Sequence, residues 1–434
     1  MRIAISGAGF RSKGAEAMLR TVQAERGQRL RGTEFSLWRC PAREHRLALN
    51  AGFTPLFWPE DQRGVATRAL RKLGLELPAW SARELSRGGP AALLRARAHG
   101  DEALSMAYRR YLERTGCAID AVVDISGFAY GDAWSVDRVL WNRALIEYCD
   151  SHGVPMLYLP QAWGSFERAE IREAVKVMVN APGTAFYSRD SQSSRYLEGL
   201  LGRAAGSVAS HPDIAFAFRG GTTLQGEEVL RAMGCNMERP IVGIAPNMQI
   251  YKRVEGSGGA NPYVRELLRL VEHCLQHHDV DIVFQASEMD ASGVTVDDRY
   301  LCGIIAASLN QPERCFLTHE ALTAGQTAAM ISRFDYLVGS RFHSLVLGLS
   351  QGVPAMAISW SHKYRELLSL FGLESDVTEF QALDADALVS TFERGWAGRG
   401  ASRPQIDNTA AALRSQVGEL FDQVAATILQ ADAV

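Results

Sequence analysis

The sequence predicts an α/β fold built from two successive open parallel sheets. Short apolar runs of strand length recur between stretches of helical pattern, at residues 2–6, 121–126, 154–159, 185–188, 241–245, 281–286, 334–338 and 355–358. Continuous apolar runs separated by helices are the mark of strands buried on both faces of a parallel sheet. The length of 434 residues, with 47% apolar content, exceeds what one core fills, since single cores stop growing at about 250–300 residues. The expected division is an N-terminal α/β domain over 1–220, a linker over 221–240, a C-terminal α/β domain over 241–400, and a helix over 401–434 that crosses back to the first domain.

Composition narrows the function. A net charge of −3 gives no whole-chain case for nucleic acid, so any anion site must be local. Seven cysteines, at 40, 117, 149, 235, 274, 302 and 315, are odd in number and form no C-x-x-C pair, which argues against a disulfide framework and a structural zinc. The N-terminus enters a strand without a long apolar segment and no run approaches 18 apolar residues, so a cytoplasmic protein is expected.

In chain order, residues 2–6 form a first strand, 7–14 a Gly-rich turn and 15–24 a helix. The turn fails the dinucleotide fingerprint at Ser12 and the P-loop at Ser12 and Gly14, so neither cofactor is expected. What is left is a backbone nest with Glu16 in the first helical turn. Residues 34–39 make a second strand. Residues 63–114 read as Arg-rich helices broken at Pro78 and Pro90, with the arginines on a solvated face. The strand at 121–126 ends near Asp124 and delivers Tyr130 and Asp132, which suit sugar hydroxyls. The strand at 154–159 delivers Gln161 and Trp163, the latter suited to stacking on a sugar ring. The strand at 185–188 ends in Arg189 and Asp190.

The second half begins at Ile241, and Asn247, Lys252 and Arg253 follow that strand, ahead of a Gly-rich loop at 255–259. Ser287 and Glu288 follow the next strand, and His319 and Glu320 follow the strand at 315–318. Residues 333–363 then read strand, helix, strand, helix start, with Ser340 as an N-cap candidate. Arg341 and His343 fall in the first turn of one helix and Lys363 in that of the next, where the macrodipole disfavours cations by about 0.3–1 kcal/mol each. The same local rule broken at two strand tips points to a site for a small polyanion carrying carboxylate or phosphate. His273, His277, Asp279 and Asp281 have metal-ligand spacing but precede their strand, at its amino end, so no metal is expected in the site.

The constellation Gly339-Ser-Arg-Phe-His343, Gly-Val-Pro354 and His-Lys363 resembles the signature of the polysaccharide pyruvyltransferase family. Asp190, Ser193 and the His-Pro-Asp213 step resemble further elements of it. The resemblance implies a fold like the two-domain glycosyltransferases of the B type and an enzyme that transfers pyruvate from phosphoenolpyruvate to two hydroxyls of a sugar, forming a ketal. It implies a donor site of Arg189, Asn247, Ser340, Arg341, His343 and Lys363, with His343 and Arg341 catalytic and His319 and Glu288 as runners-up for proton transfer. On the acceptor side it implies Glu16, Tyr130, Asp132, Gln161 and Trp163. The implied partners are phosphoenolpyruvate and a sugar or lipid-linked oligosaccharide, with no cofactor and no nucleic acid. A lipid-linked acceptor would bring peripheral membrane contact, and a homo-oligomer remains open. One departure stands out: Ala286-Ser287 occupies the place of the family's Pro-His. The alternatives are a nucleotide-sugar glycosyltransferase, because the same architecture binds diphosphates at helix N-termini, and a non-catalytic glycan-binding member.

Overall fold

The computed structural model describes residues 1–38, 40–41, 44–56, 119–139, 143–290, 296–317 and 320–432. The Arg-rich stretch at 63–114 and His319 lie outside the described residues. Two compact units emerge, one made of Met1–Gly9, Gln23–His211 and Leu420–Val434, the other of Phe10–Val22 and Pro212–Glu419.

The first unit holds a six-stranded sheet of β1 (Arg2–Ser6), β2 (Glu34–Leu37), β3 (Phe53–Pro55), β4 (Ala121–Asp124), β5 (Met156–Gln161) and β6 (Thr184–Ser188), ordered β3-β2-β1-β4-β5-β6. All its pairings are parallel. The second unit holds β7 (Ile241–Ala245), β8 (Asp281–Phe284), β9 (Cys315–Leu317), β10 (Tyr336–Gly339), β11 (Ala355–Ser359) and β12 (Val377–Glu379), ordered β12-β11-β10-β7-β8-β9. Counted from its own first strand, the second sheet repeats the order of the first. Both therefore reverse direction once, at β1/β4 and at β7/β10, and such switch points open a crevice at the strands' carboxyl ends. The central strands β4, β5, β7, β8, β10 and β11 are buried throughout, which explains their unbroken apolar text.

The unit boundaries differ from the sequence expectation in three places. Residues 10–22 join the second unit because the turn pairs with the end of β8: Ser12 bridges Glu288, the Lys13 amide donates to the Ser287 carbonyl and the Met289 amide to that of Arg11. The expected linker contains a helix, Thr223–Met233, closed by a Thr222/Gln225 capping box, and it belongs to the second unit. The closing helix starts at Ala385 rather than 401 and runs to Asp432, through Gly395, Gly398, Gly400 and Pro404. Packing overrides propensity there, since a Cβ at Gly395 would lie 1.8 Å from the Tyr336 hydroxyl, so the glycine lets the helix close on β10. From Leu420 on, this helix belongs to the first unit.

Among the described residues no helix is long and apolar enough to cross a membrane. None of the six described cysteines is in a disulfide, and burial pushes the Cys149, Cys235 and Cys315 thiols up to about 12, so these three are unreactive as thiolates near neutrality.

Candidate functional site

Past the carboxyl ends of β7 and β10, at the switch point, the second unit gathers cations around one aromatic side chain. Gly339 pairs with Ala245, so Asn247 and Ser340 emerge side by side. Both are engaged internally. Asn247 donates to the Ser340 carbonyl at 2.7 Å and caps the next helical turn by accepting from the Gln249 amide. Tyr263 donates to the Ser340 hydroxyl and Tyr364 to its carbonyl, each at 2.8 Å. These two sequence candidates therefore act as scaffold for the strand tip, and their polar groups leave little for a ligand.

The helix Phe342–Ser350 starts one residue later than expected, with Arg341 rather than Ser340 at the N-cap, and no side chain caps its amides. Arg341 is not an unpaired clamp. Its Nη2 donates to Asp298, a fully buried carboxylate, and its Nη1 lies 3.8 Å from Glu288. Burial pulls the guanidinium pKa down, but Asp298 and Glu288 hold it above the ordinary value, so it stays charged. Asp298 also accepts from the amides of Met248, Ser287 and Glu288. The guanidinium is thus fixed by a saturated acid, while its Nε is buried without a hydrogen-bond partner.

Further positive charge lies next to it. Arg253 and Lys363 stand over the ring of Trp360 at 4.6 and 4.7 Å. Lys252 is exposed, and its pKa is lowered first by partial burial and then by Arg341 nearby. Among the described residues neither Lys252 nor Arg253 has a carboxylate within ion-pair distance. Like charges so grouped are stabilised by an anion that answers them.

His343 sits on the second residue of the same helix. Its Nε2 lies 3.5 Å from the buried carboxylate of Asp213 and lacks a hydrogen bond, and the side chain keeps 20% of its surface. Gly14 from the N-terminal turn lies directly on this ring: a Cβ there would come 2.1 Å from His343 Cγ. Gly14→Ala is expected to displace the imidazole, cost about 1–3 kcal/mol by overpacking and remove activity, read by thermal denaturation and a product assay on the same sample. Where the family's histidine is absent, the Ser287 amide and carbonyl tie down Asp298 and the turn, and Glu288 lies between Arg11, at 2.9 Å, and Arg341.

The acceptor candidates are packed and paired within their own units. Glu16 is buried and paired with Lys13 at 3.0 Å. In the first unit Tyr130 and Trp163 are fully buried and stacked on each other, with ring centroids 5.2 Å apart. Gln161 is buried, its amide 3.5 Å from Asp124. Burial pushes the Asp124 carboxyl up, against hydrogen bonds from Ser126, Ser6 and Tyr130. Asp132 accepts from the Ser165 hydroxyl and the amides of Glu167 and Arg168, closing a turn. Polar residues after a strand are as useful for closing the connection as for binding sugar, and here they close it. Arg189 follows β6 in the first unit, its amide donating to Gln161, and Asp190 caps the helix Ser191–Leu201. Lys252, Arg253, Trp360, Asp213 and Asp298 complete the site without having been singled out for it. For the first two the signal was present, a basic pair just past a strand.

The family model of the polysaccharide pyruvyl transferases matches residues 65–362. No curated protein sequence matches the chain. Among solved structures, a glycosyltransferase from Rickettsia africae superposes with a TM-score of 0.56 at 9% identity, covering 99% of this chain and 98% of the other. Arabidopsis thaliana UGT89C1 complexed with UDP gives 0.56 at 13% identity, covering 98% and 99%. A UDP-GlcNAc 2-epimerase from Neisseria meningitidis bound to UDP-GlcNAc gives 0.54 at 10%, covering 99% and 100%. At such identities these likenesses show the fold, the paired Rossmann-like sheets of the B-type glycosyltransferases, and nothing finer. The family match covers well over half of the chain and includes Lys252, Arg253, Arg341 and His343, so the chain belongs to the polysaccharide pyruvyl transferase family.

Proposed function

We propose that the protein transfers pyruvate from phosphoenolpyruvate to two hydroxyls of a sugar in a polysaccharide or glycan precursor, forming a pyruvate ketal. The observation that carries this reading is the placing of Arg253 and Lys363 over Trp360, with Lys252 near Arg253 and the buried Arg341. Phosphoenolpyruvate carries a carboxylate and a phosphate close together, and a cluster of point charges beside a fixed guanidinium answers both. His343, held against Asp213, is the proton donor to the methylene carbon; the first sugar hydroxyl adds to the resulting cationic carbon, phosphate leaves, and the second hydroxyl closes the ketal. Glu288 is the alternative proton carrier, and Arg189 remains a donor candidate.

Arg253→Ala and Lys252→Ala are each expected to raise the KM for phosphoenolpyruvate about tenfold to a hundredfold, the worth of one charge-assisted contact, with the thermal midpoint nearly unchanged. Because Lys252 titrates below the 10.5 of a free lysine, donor affinity should be full at lower pH and fall as pH rises through that lowered value, and Lys252→Ala should flatten this limb. The decisive assay incubates the protein with phosphoenolpyruvate and candidate acceptors and reads by mass spectrometry the addition of a pyruvate less water. A melting shift with nucleotide sugars and none with phosphoenolpyruvate would replace this reading by a glycosyltransferase.

A further inference from the structure

The geometry points to a second site, for one divalent transition-metal ion of the zinc type, held by His273, His278 and Glu393. It lies at the amino end of β8, at the opposite end of the sheet from the anion site, and all three residues belong to the second unit. His273 is in the last turns of the helix Pro262–His277, and His278 is its C-cap, extended at φ −131° and ψ 146°, which brings its ring beside that of His273. Glu393 comes from the long closing helix. The Nε2 atoms of the two rings lie 2.6 and 2.7 Å from the same Oε1 of Glu393, and the three atoms fall within 4.8 Å of one another. Of the four residues with ligand spacing in the sequence, only His273 takes part. Asp281 instead accepts from the Asn236 amide, and Asp279 pairs with Arg239 at 3.0 Å.

Two imidazoles and one carboxylate form a three-ligand set that zinc accepts, with a fourth position for water. With metal–ligand bonds of about 2.0–2.2 Å, a tetrahedral ion needs its ligand atoms roughly 3.3–3.5 Å apart, so Glu393 must withdraw by less than about 1 Å. The ion replaces the two Nε2 protons, which move to Nδ1, and no net proton is lost from neutral rings. Side-chain exposures of 24%, 21% and 39% leave an entry path. His277 is exposed, its ring 4.4 Å from that of His273. Phe392 and Trp396 wall off His278. Arg314, the nearby cation, is engaged by the Leu275 carbonyl and by Asp279. An ion here ties the closing helix to the helix before β8, a structural staple apart from the chemistry.

The test strips the full-length protein with chelator and titrates it with zinc by calorimetry and with cobalt by visible absorption. One equivalent should bind, with cobalt bands of nitrogen and oxygen ligation and a higher thermal midpoint in zinc. His278→Ala should abolish binding. Glu393→Gln keeps an acceptor for both rings, so it should fold as the parent does and bind at least tenfold more weakly. An absence of binding by the stripped parent, equal binding by both variants, or a sulfur charge-transfer band showing cysteine ligation would each overturn the assignment.

Discussion

Asp298→Ala is expected to destabilise the second unit by about 3–5 kcal/mol and to abolish the proposed ketal formation, because it leaves a buried guanidinium uncompensated. Asp298 is wholly buried, and its carboxylate accepts from Arg341 and from the amides of Met248, Ser287 and Glu288. Removing it orphans three backbone donors and one cation at once, with only Glu288, at 3.8 Å, left near the charge. The reverse deletion is milder, since Arg341→Met leaves Asp298 with its three amides, so it should cost less stability while also stopping the reaction. The double variant should then be more stable than Asp298→Ala alone, as the uncompensated charge is gone. Denaturant titrations of the three variants measure this, and an Asp298→Ala protein as stable as the parent would show that Arg341 is not held by this acid.

The strands and helices about β10 were legible because periodicity, stop signals and misplaced cations agreed over 333–363. What the sequence hid was pairing at long range. Asp298 lies 43 residues before Arg341 and meets it only because the β8 connection returns over the switch point. Asp213 faces His343 from a short turn at the start of the second unit, and Gly14 reaches the same ring from near the N-terminus. Local pattern cannot show such contacts, and for this reason the acid that holds Arg341 could not be named from the sequence. The packing of the acceptor candidates was hidden for a different reason. Tyr, Trp, Gln and Asp after a strand are chemically ambiguous, and only burial decides whether they face solvent or close a core.

Trp163→Ala is the experiment that separates those two roles, and a loss of about 3–5 kcal/mol is expected from it. The indole is fully buried in the core of the first unit. It stacks on Tyr130, meets Tyr158 and Phe186 edge-on at 5.7 and 6.5 Å, and donates its N–H to the Tyr187 carbonyl at 3.0 Å. Deleting it opens a large cavity among these rings and leaves that carbonyl without its donor, so both the transfer and the hydrogen-bond contributions point the same way. Trp163→Phe, which refills most of the volume, should recover much of the stability. A residue that stacked on an acceptor sugar would behave otherwise: its alanine variant would raise the KM for acceptor and leave the denaturation midpoint in place. Because no face of this ring reaches solvent, the folded fraction of either variant should show an unchanged acceptor KM.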